Sequence, residues 1–171
     1  MKKLFILSIA ACVCIVGTEA PASHETVPAE TEITLPSAQA PLAVLRYIKI
    51  FEPYSEWSLW PGKGRLYKGR HPHGSYLTTY VNDKGTSALR RSEPMRPGSF
   101  IVKEVYTLEK KLAAINVMYK VEGYNPAAGD WFWAEYGSDG SVRKAGRVQE
   151  CISCHAAGKA NDFIMTEDFI N

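Results

Sequence analysis

Residues 99–136 read SFIVKEVYTLEKKLAAINVMYKVEGYNPAAGDWFWAEY. Three runs within this stretch, over 99–108, 113–121 and 130–136, are rich in β-branched, aromatic and other apolar residues. In the middle run every second residue from Ala113 to Val121 is apolar, which predicts a strand with one buried face. Short segments join the runs, and short connections favour antiparallel neighbours. We therefore predict that this stretch forms the centre of an antiparallel sheet.

Shorter patterns on both sides of this stretch predict the remaining elements of the fold. They are an amphipathic helix over 42–51 that Pro53 ends, a strand over 76–81, a helix over 83–91, a hairpin strand over 141–144 and a C-terminal helix over 147–158. The apolar positions of the first helix recur every three residues from Leu42 to Phe51, and Asp83 is the expected N-cap of the second. The predicted fold class is α+β, a predominantly antiparallel β-sheet with a few peripheral helices and a C-terminal helix.

The predicted C-terminal helix carries Cys151-Ile152-Ser153-Cys154-His155, a C-x-x-C-H motif. Such a motif attaches a c-type haem, because two thiols can add to the porphyrin vinyl groups while the histidine binds the iron. A thioredoxin-like redox pair and half of a zinc site use the same cysteine spacing. A redox pair usually comes early in its domain. A zinc site needs a second pair of ligands, and residues 42–171 contain no other cysteine. We predict one covalent haem c per chain, with the helix as its binding element and His155 as the proximal iron ligand.

The N-terminus has the features of an export signal. Residues 1–20 combine a basic start with an apolar run that is too short for a comfortable membrane span. Cys12 follows a lipoprotein-like box, whereas Ala20-Pro21-Ala22 would allow soluble release, so both processing routes stay open. Residues 21–41 have the Pro-, Ala- and Glu-rich composition of a disordered linker. We expect a periplasmic protein, soluble or lipid-anchored through Cys12, whose domain covers 42–171.

The charge of the chain excludes one class of partner. The formal net charge is +2, with 20 Lys and Arg against 18 Asp and Glu. A nucleic-acid-binding domain of this size usually carries a clustered basic excess. We therefore expect no nucleic-acid partner.

Four motifs, taken in order, resemble the cytochrome P460 family and its sister group, the cytochromes c′-beta. They are His73-Gly74 leading into Leu77-Thr78-Thr79-Tyr80-Val81-Asn82, then Pro97-Gly98-Ser99-Phe100-Ile101-Val102-Lys103-Glu104, then Gly129-Asp130-Trp131-Phe132-Trp133, and finally Cys151 to His155 followed by Asn161-Asp162-Phe163-Ile164-Met165-Thr166. The resemblance covers roughly residues 42–171, and only the haem motif is specific by itself.

The resemblance implies a sheet-built, usually dimeric, haem protein whose iron is often open on the side opposite His155. P460 proteins oxidise hydroxylamine or nitric oxide with a haem cross-linked to a lysine, which corresponds to Lys103. The cytochromes c′-beta share the fold without the cross-link and bind nitric oxide and carbon monoxide. We therefore expect an exported mono-haem cytochrome that binds, and on the enzyme interpretation oxidises, a small nitrogen species. The alternatives are a gas-binding protein without turnover and a six-coordinate electron carrier with an unknown redox partner.

The sequence does not decide which side of the sheet Lys103 faces. Strand alternation places it with Ile101 and Val105, and each face of its strand is apolar apart from one charge. If Lys103 faces inward, desolvation favours a neutral, nucleophilic amine. If it faces outward, it is an ordinary solvated lysine.

The sequence also does not decide what binds the iron at its sixth position. An unoccupied or water-bound position is the preferred hypothesis. Candidate sixth ligands are Met95, Met118, Met165, His71 and His73. His73, Leu77 and Tyr80 are candidate distal-pocket residues. Leu77 aligns where the hydroxylamine oxidisers carry an arginine, which favours a neutral diatomic ligand. Glu104 and Asp130 are candidate proton relays, or else a surface charge and a turn residue. Three basic residues could pair with haem propionates or a redox protein, or could simply be solvated: Arg143, Lys144 and Arg147.

Overall fold

The computed structural model describes residues 34–70 and 72–165. The strands are β1 (Ser58–Leu59), β2 (Tyr67–Lys68), β3 (Tyr76–Val81), β4 (Phe100–Tyr106), β5 (Leu112–Lys120), β6 (Trp131–Gly137) and β7 (Val142–Gly146). The helices are α1 (Pro41–Arg46), α2 (Asp83–Arg91) and α3 (Gln149–His155), and short 3₁₀ or π-helical turns cover Tyr47–Phe51, Tyr54–Glu56, Pro126–Ala128 and Ala156–Asn161. The expectations for residues 1–20, for Cys12, for most of the linker and for His71 fall outside the described residues.

All seven strands belong to one antiparallel sheet in the order β1-β3-β4-β5-β6-β7, and β2 pairs with the other end of β3. Strands β3 to β7 therefore form a meander in which each strand lies beside the next one in the chain. This arrangement confirms the predicted fold class. The alternating pattern and the short connections were sufficient to predict it, since both are local properties of the sequence.

One side of the sheet, the α1 face, is covered by α1 and the π-helical turn that follows it. Val44 and Ile48 from these helices pack on Val102, Val117 and neighbouring sheet residues. The rings of Phe100 and Tyr119 stack here with centroids 4.1 Å apart. This face carries the larger of the two hydrophobic clusters.

The opposite side, the α3 face, is covered by α2, α3 and residues 162–165, which end the described part of the chain. Ile101, Trp131 and Trp133 of the sheet pack with Ala88 of α2 and Phe163 of that segment. Cys151 and Ile152 of α3 pack against the same cluster. The α3 face is therefore the surface on which the C-x-x-C-H motif lies.

The first helix buries Leu45 and Ile48, as predicted, but otherwise a different set of side chains. Leu42 and Phe51 are exposed, whereas Val44, Tyr47 and Ile48 are buried. The α-helix changes to a π-helix at Tyr47, and the wider turn shifts which positions face the sheet.

The cap of α2 also differs from the prediction. Asn82, not Asp83, is the N-cap, because its Oδ1 accepts hydrogen bonds from Gly85 N at 3.1 Å and Phe100 N at 3.0 Å. Asp83 is the first helical residue. The Asn82 side chain thus satisfies one free amide of the helix and also joins α2 to β4.

Packing contacts of the domain begin before residue 42, within the C-terminal end of the segment that was expected to be a linker. Ala38 is buried, and the backbone carbonyls of Pro36 and Pro41 accept hydrogen bonds from Tyr119 and Tyr136 at 3.1 and 2.7 Å. A proline-rich composition does not rule out order where buried tyrosines need acceptors. Among residues 34–70 and 72–165, no helix has the length and apolar character needed to cross a membrane.

Candidate haem site

Helix α3 places the two cysteines and the histidine of the motif together on the α3 face. Cys151 is partly buried and Cys154 is exposed. A separation of three residues on a helix puts both thiols on neighbouring positions of one side. Burial is the main cause that raises the pKa of the Cys151 thiol. The pair can therefore react with one flat group lying along the helix.

His155 is held in a defined orientation. Its side chain is buried, and its Nδ1 lies 2.7 Å from the carbonyl oxygen of Phe163. A carbonyl only accepts, so Nδ1 carries the proton and donates, which leaves the lone pair of Nε2 for a metal. The Trp133 ring packs against His155 with centroids 4.6 Å apart. The contacts with Phe163 and Trp133 thus orient His155 without any metal and leave Nε2 available to one.

A buried ion pair holds the segment that supplies this carbonyl. Asp162 and Phe163 both have left-handed backbone conformations, with φ of 54° and 63°. The Asp162 carboxylate binds Lys120 Nζ at 2.5 Å and accepts from Met95 N at 2.9 Å. The Asp162 carbonyl accepts from Trp131 Nε1 at 2.9 Å. These contacts stabilise a backbone turn that non-glycine residues rarely adopt.

We expect Asp162→Ala to lower the free energy of unfolding by about 3–5 kcal/mol, because the Lys120 ammonium would stay buried without its partner. Urea unfolding of the haem-loaded protein measures this loss. The matched control is Glu93→Gln, which breaks the exposed pairs of Glu93 with Arg91 and Arg96 and should change little. A loss for Asp162→Ala no larger than that of the control would contradict the role of the buried pair.

Lys103 lies on the α3 face. Its cross-strand partners are Thr79 on β3 and Asn116 on β5. Desolvation lowers the pKa of the Lys103 amine, and the nearby Cys154 acts in the opposite direction. Lys103 forms no ion pair within the described part of the chain. The amine is therefore close to the haem motif and is biased towards its neutral, nucleophilic form.

His73 also reaches the α3 face, from the loop that precedes β3. Its Nδ1 lies 3.1 Å from Asn116 Nδ2, and its ring centroid lies 6.2 Å from that of His155. Burial is the main cause that lowers the pKa of His73 to about 4, and the nearby Lys103 and His155 act in the same direction. At neutral pH the side chain is therefore an uncharged imidazole.

Leu77 lies on the α3 face together with His73 and Lys103, and Tyr80 does not. Leu77 is buried on the α3 face opposite Val105. Tyr80 lies on the α1 face, where its hydroxyl donates to Glu104 at 3.1 Å and contacts Arg65. Tyr80 is one residue from Thr79, and strand alternation turns it to the other side of the sheet. The interpretation of Tyr80 as a distal-pocket residue is corrected accordingly.

Glu104 and Asp130 have structural partners away from the group around His73 and His155. Glu104, on the α1 face, accepts hydrogen bonds from Tyr54 at 3.0 Å and from Tyr106 at 2.7 Å as well as from Tyr80. Asp130 accepts from Asn125 N at 2.9 Å within the turn before β6. Glu104 is thus separated from the α3 face by the sheet, and the contact of Asp130 is that of a turn residue.

The remaining candidates pair locally or pack in the core. Met95 is buried, Met118 packs against Ile101 and Trp133 in the core of the α3 face, and Met165 is exposed. The three basic residues before α3 each have a neighbour: Arg143 with Glu135, Lys144 with Glu150, and Arg147 with the ring and carbonyl of Tyr124.

The sequence interpretation assigned no role to three residues near the site: Trp133 and Asp162, which lie within two of the family motifs, and Asn116, which lies in none. Asn116 Oδ1 and Trp133 Nε1 are buried and have no hydrogen-bond partner among the described residues. A buried polar atom without a partner costs about 1–3 kcal/mol, and a bound group with polar substituents can supply one. Strand register could have pointed to Asn116, since it pairs with Lys103, but register follows only from the folded sheet.

The donor set fits a covalently bound haem. Two thiols on one side of a helix, an oriented imidazole with a free Nε2 and two orphaned buried polar atoms lie on the same face of the sheet. Within residues 34–70 and 72–165, by contrast, there is no group of three or more His, Cys, Asp or Glu side chains that could hold a metal ion without a cofactor. The site can hold the haem by its thiols and bind its iron through His155.

Comparison with protein families identifies the domain. The family model described as Cytochrome P460 matches residues 54–166, which include β1 to β7, α2 and α3. No curated protein matches the chain at significant similarity.

Proposed function

The chain belongs to the cytochrome P460 family of c-type haem proteins, and from this premise we propose that it binds and oxidises a small nitrogen species, hydroxylamine or nitric oxide. One haem would be attached through Cys151 and Cys154, with His155 as an axial ligand of the iron. Haem supplies the redox-active iron at which such a species can bind. The electrons released would pass to a redox partner protein.

The observation that carries this proposal is the position of Lys103. Its amine lies on the α3 face next to the haem motif, in a cross-strand row with Thr79 and Asn116. Desolvation favours the neutral amine there. A neutral amine at this place supports a bond between Lys103 and the haem periphery, which in this family accompanies oxidation of nitrogen compounds.

Gas binding without turnover is the second candidate, and one feature favours it. Leu77, Val105 and Ala114 form an apolar cross-strand row beside the row that contains Lys103. Apolar side chains offer no hydrogen bond to a polar substrate such as hydroxylamine, and they tolerate a neutral diatomic gas. A six-coordinate electron carrier remains the third candidate.

We further propose that the protein is exported to the periplasm, either free or anchored through a lipid on Cys12, and that it forms a homodimer. The basic and apolar start of the chain and the position of Cys12 support the first proposal. Labelling of cells with a radioactive fatty acid separates the two processed forms. Light scattering of the purified protein gives the oligomeric state.

Turnover of the haem-loaded protein tests the proposed activity. With hydroxylamine or nitric oxide as substrate and a dye as electron acceptor, we expect dye reduction that depends on both protein and substrate. The matched comparison is the same protein with carbon monoxide bound to the reduced iron, which should block turnover. Binding of nitric oxide without any dye reduction would overturn the enzymatic proposal and establish the gas-binding alternative.

A further inference from the structure

The His73 and His155 rings are separated by a distance that suits two ligands of one metal ion. The two ring centroids are 6.2 Å apart and the ring planes are inclined by 74°. Two imidazoles that bind one metal ion from opposite sides, each at about 2 Å, have ring centroids about 6 Å apart. The separation of the two rings is therefore that of a pair of axial ligands on one iron.

The hydrogen bonds of both histidines leave the same nitrogen for the iron. His155 uses Nδ1 for the Phe163 carbonyl, and His73 uses Nδ1 for the Asn116 side chain. Asn116 Oδ1 is buried without a partner among the described residues. A half-turn of this amide, which keeps its shape, brings Oδ1 to His73 so that Nδ1–H donates to it. The lone pair of His73 Nε2 is then free to bind a metal, as in many histidine ligands oriented by a second partner.

The loop before β3 is built to lie close to the sheet. Gly74 has φ of +82°, and a Cβ at this position would lie 2.7 Å from Val105 Cγ1. A Cβ on Gly69 would lie 2.3 Å from the Gly74 carbonyl oxygen. These two glycines allow the loop to close on itself and to approach β4, which brings His73 over Asn116 and towards His155.

We propose that His73, oriented by Asn116, is the sixth ligand of the haem iron in the resting protein and that an incoming small ligand displaces it. The inference rests on the proposed function, since it assumes a haem on His155. It replaces the preferred expectation of an open sixth position. His73 belongs to a short glycine-containing loop rather than to a strand or helix, so its side chain can leave the iron without disturbing the sheet.

The spin state of the iron tests this inference in the haem-loaded protein. Absorption and electron paramagnetic resonance spectra of the ferric native protein are expected to be low-spin. His73→Gly should give a high-spin spectrum, and added imidazole should restore the low-spin one by filling the space of the lost ring. His73→Leu should be high-spin and should not respond to imidazole. Carbon monoxide should bind the ferrous His73→Gly protein at least about tenfold faster, because its binding site no longer has to be vacated.

Control variants separate ligation from a structural role of the loop. Ile101→Leu keeps the volume of a core side chain on the α3 face and should leave the spin state unchanged. Asn116→Ala should give a mixture of spin states, since His73 loses its orienting partner. A high-spin native spectrum, or a low-spin spectrum that survives both His73 substitutions, would overturn the inference.

Turnover measured on the same samples distinguishes this inference from the proposed function. A low-spin, His73-dependent spectrum in a protein that oxidises neither hydroxylamine nor nitric oxide upholds the ligand and overturns the activity. Turnover by a native protein that is high-spin does the reverse.

Discussion

Replacement of both Cys151 and Cys154 by alanine is expected to abolish covalent haem. Attachment adds each S–H across one vinyl double bond, so a C–S and a C–H bond form and nothing is released. The two thiols lie on α3 beside His155 and are the only cysteines among residues 34–70 and 72–165. Without them, His155 can still bind iron, but the haem is held by coordination alone. Intact-mass analysis and extraction with acidified organic solvent measure the difference.

Single variants and one control make this result specific. Cys151→Ala and Cys154→Ala should each retain one thioether and a haem that is not extracted. Ser153→Ala is the control. Ser153 is an exposed residue between the cysteines, and its hydroxyl accepts a hydrogen bond from the Gln149 side chain, so the variant should keep the full covalent haem. Haem that stays attached to the double variant after denaturation would refute the assignment of the motif.

Substitution of Lys103 by methionine is expected to remove the second covalent link and to slow turnover while both thioethers remain. In the native protein we expect Nζ to be bonded to a carbon of the haem periphery. Formation of this bond breaks one N–H and one C–H bond, and the two protons and two electrons go to a peroxide. The haem peptide should therefore carry residues around Lys103 and lack the mass of two hydrogen atoms. A bond of this kind perturbs the macrocycle, so a strongly red-shifted main absorption band should accompany it.

The Lys103→Met protein should show an ordinary c-type spectrum and at least about tenfold slower turnover of hydroxylamine, equivalent to about 1.4 kcal/mol in the barrier. Lys144→Met is the matched control, because Lys144 lies on β7 in line with Glu135 and Asn116 but is exposed and paired with Glu150. It should change neither spectrum nor turnover. A native haem peptide without Lys103, together with an ordinary native spectrum, would refute the cross-link and favour the gas-binding alternative.

Most of the fold and the centre of the site could be predicted because they depend on short-range patterns. The alternation around Ile115 and the aromatic run around Trp131 defined strands, and short connections defined their antiparallel order. The errors lie where a local pattern competes with tertiary packing. Asn82 rather than Asp83 caps α2 because Asn82 also bonds β4, and Ala38 is buried because nearby carbonyls accept from Tyr119 and Tyr136.

The sequence by itself determined the fold class of this protein and predicted that its cofactor is a c-type haem. A C-x-x-C-H spacing predicts two thioethers and one axial histidine, and strand periodicity is a property of neighbouring residues, so both can be recognised without the folded structure. Only the tertiary structure decided what lies on each side of the haem motif. The register of β4 with β5 placed Lys103 beside Asn116, and the loop before β3 brought His73 to His155, which is 82 positions away in the chain. Such contacts depend on sheet register and loop closure, and those are properties of the folded chain as a whole.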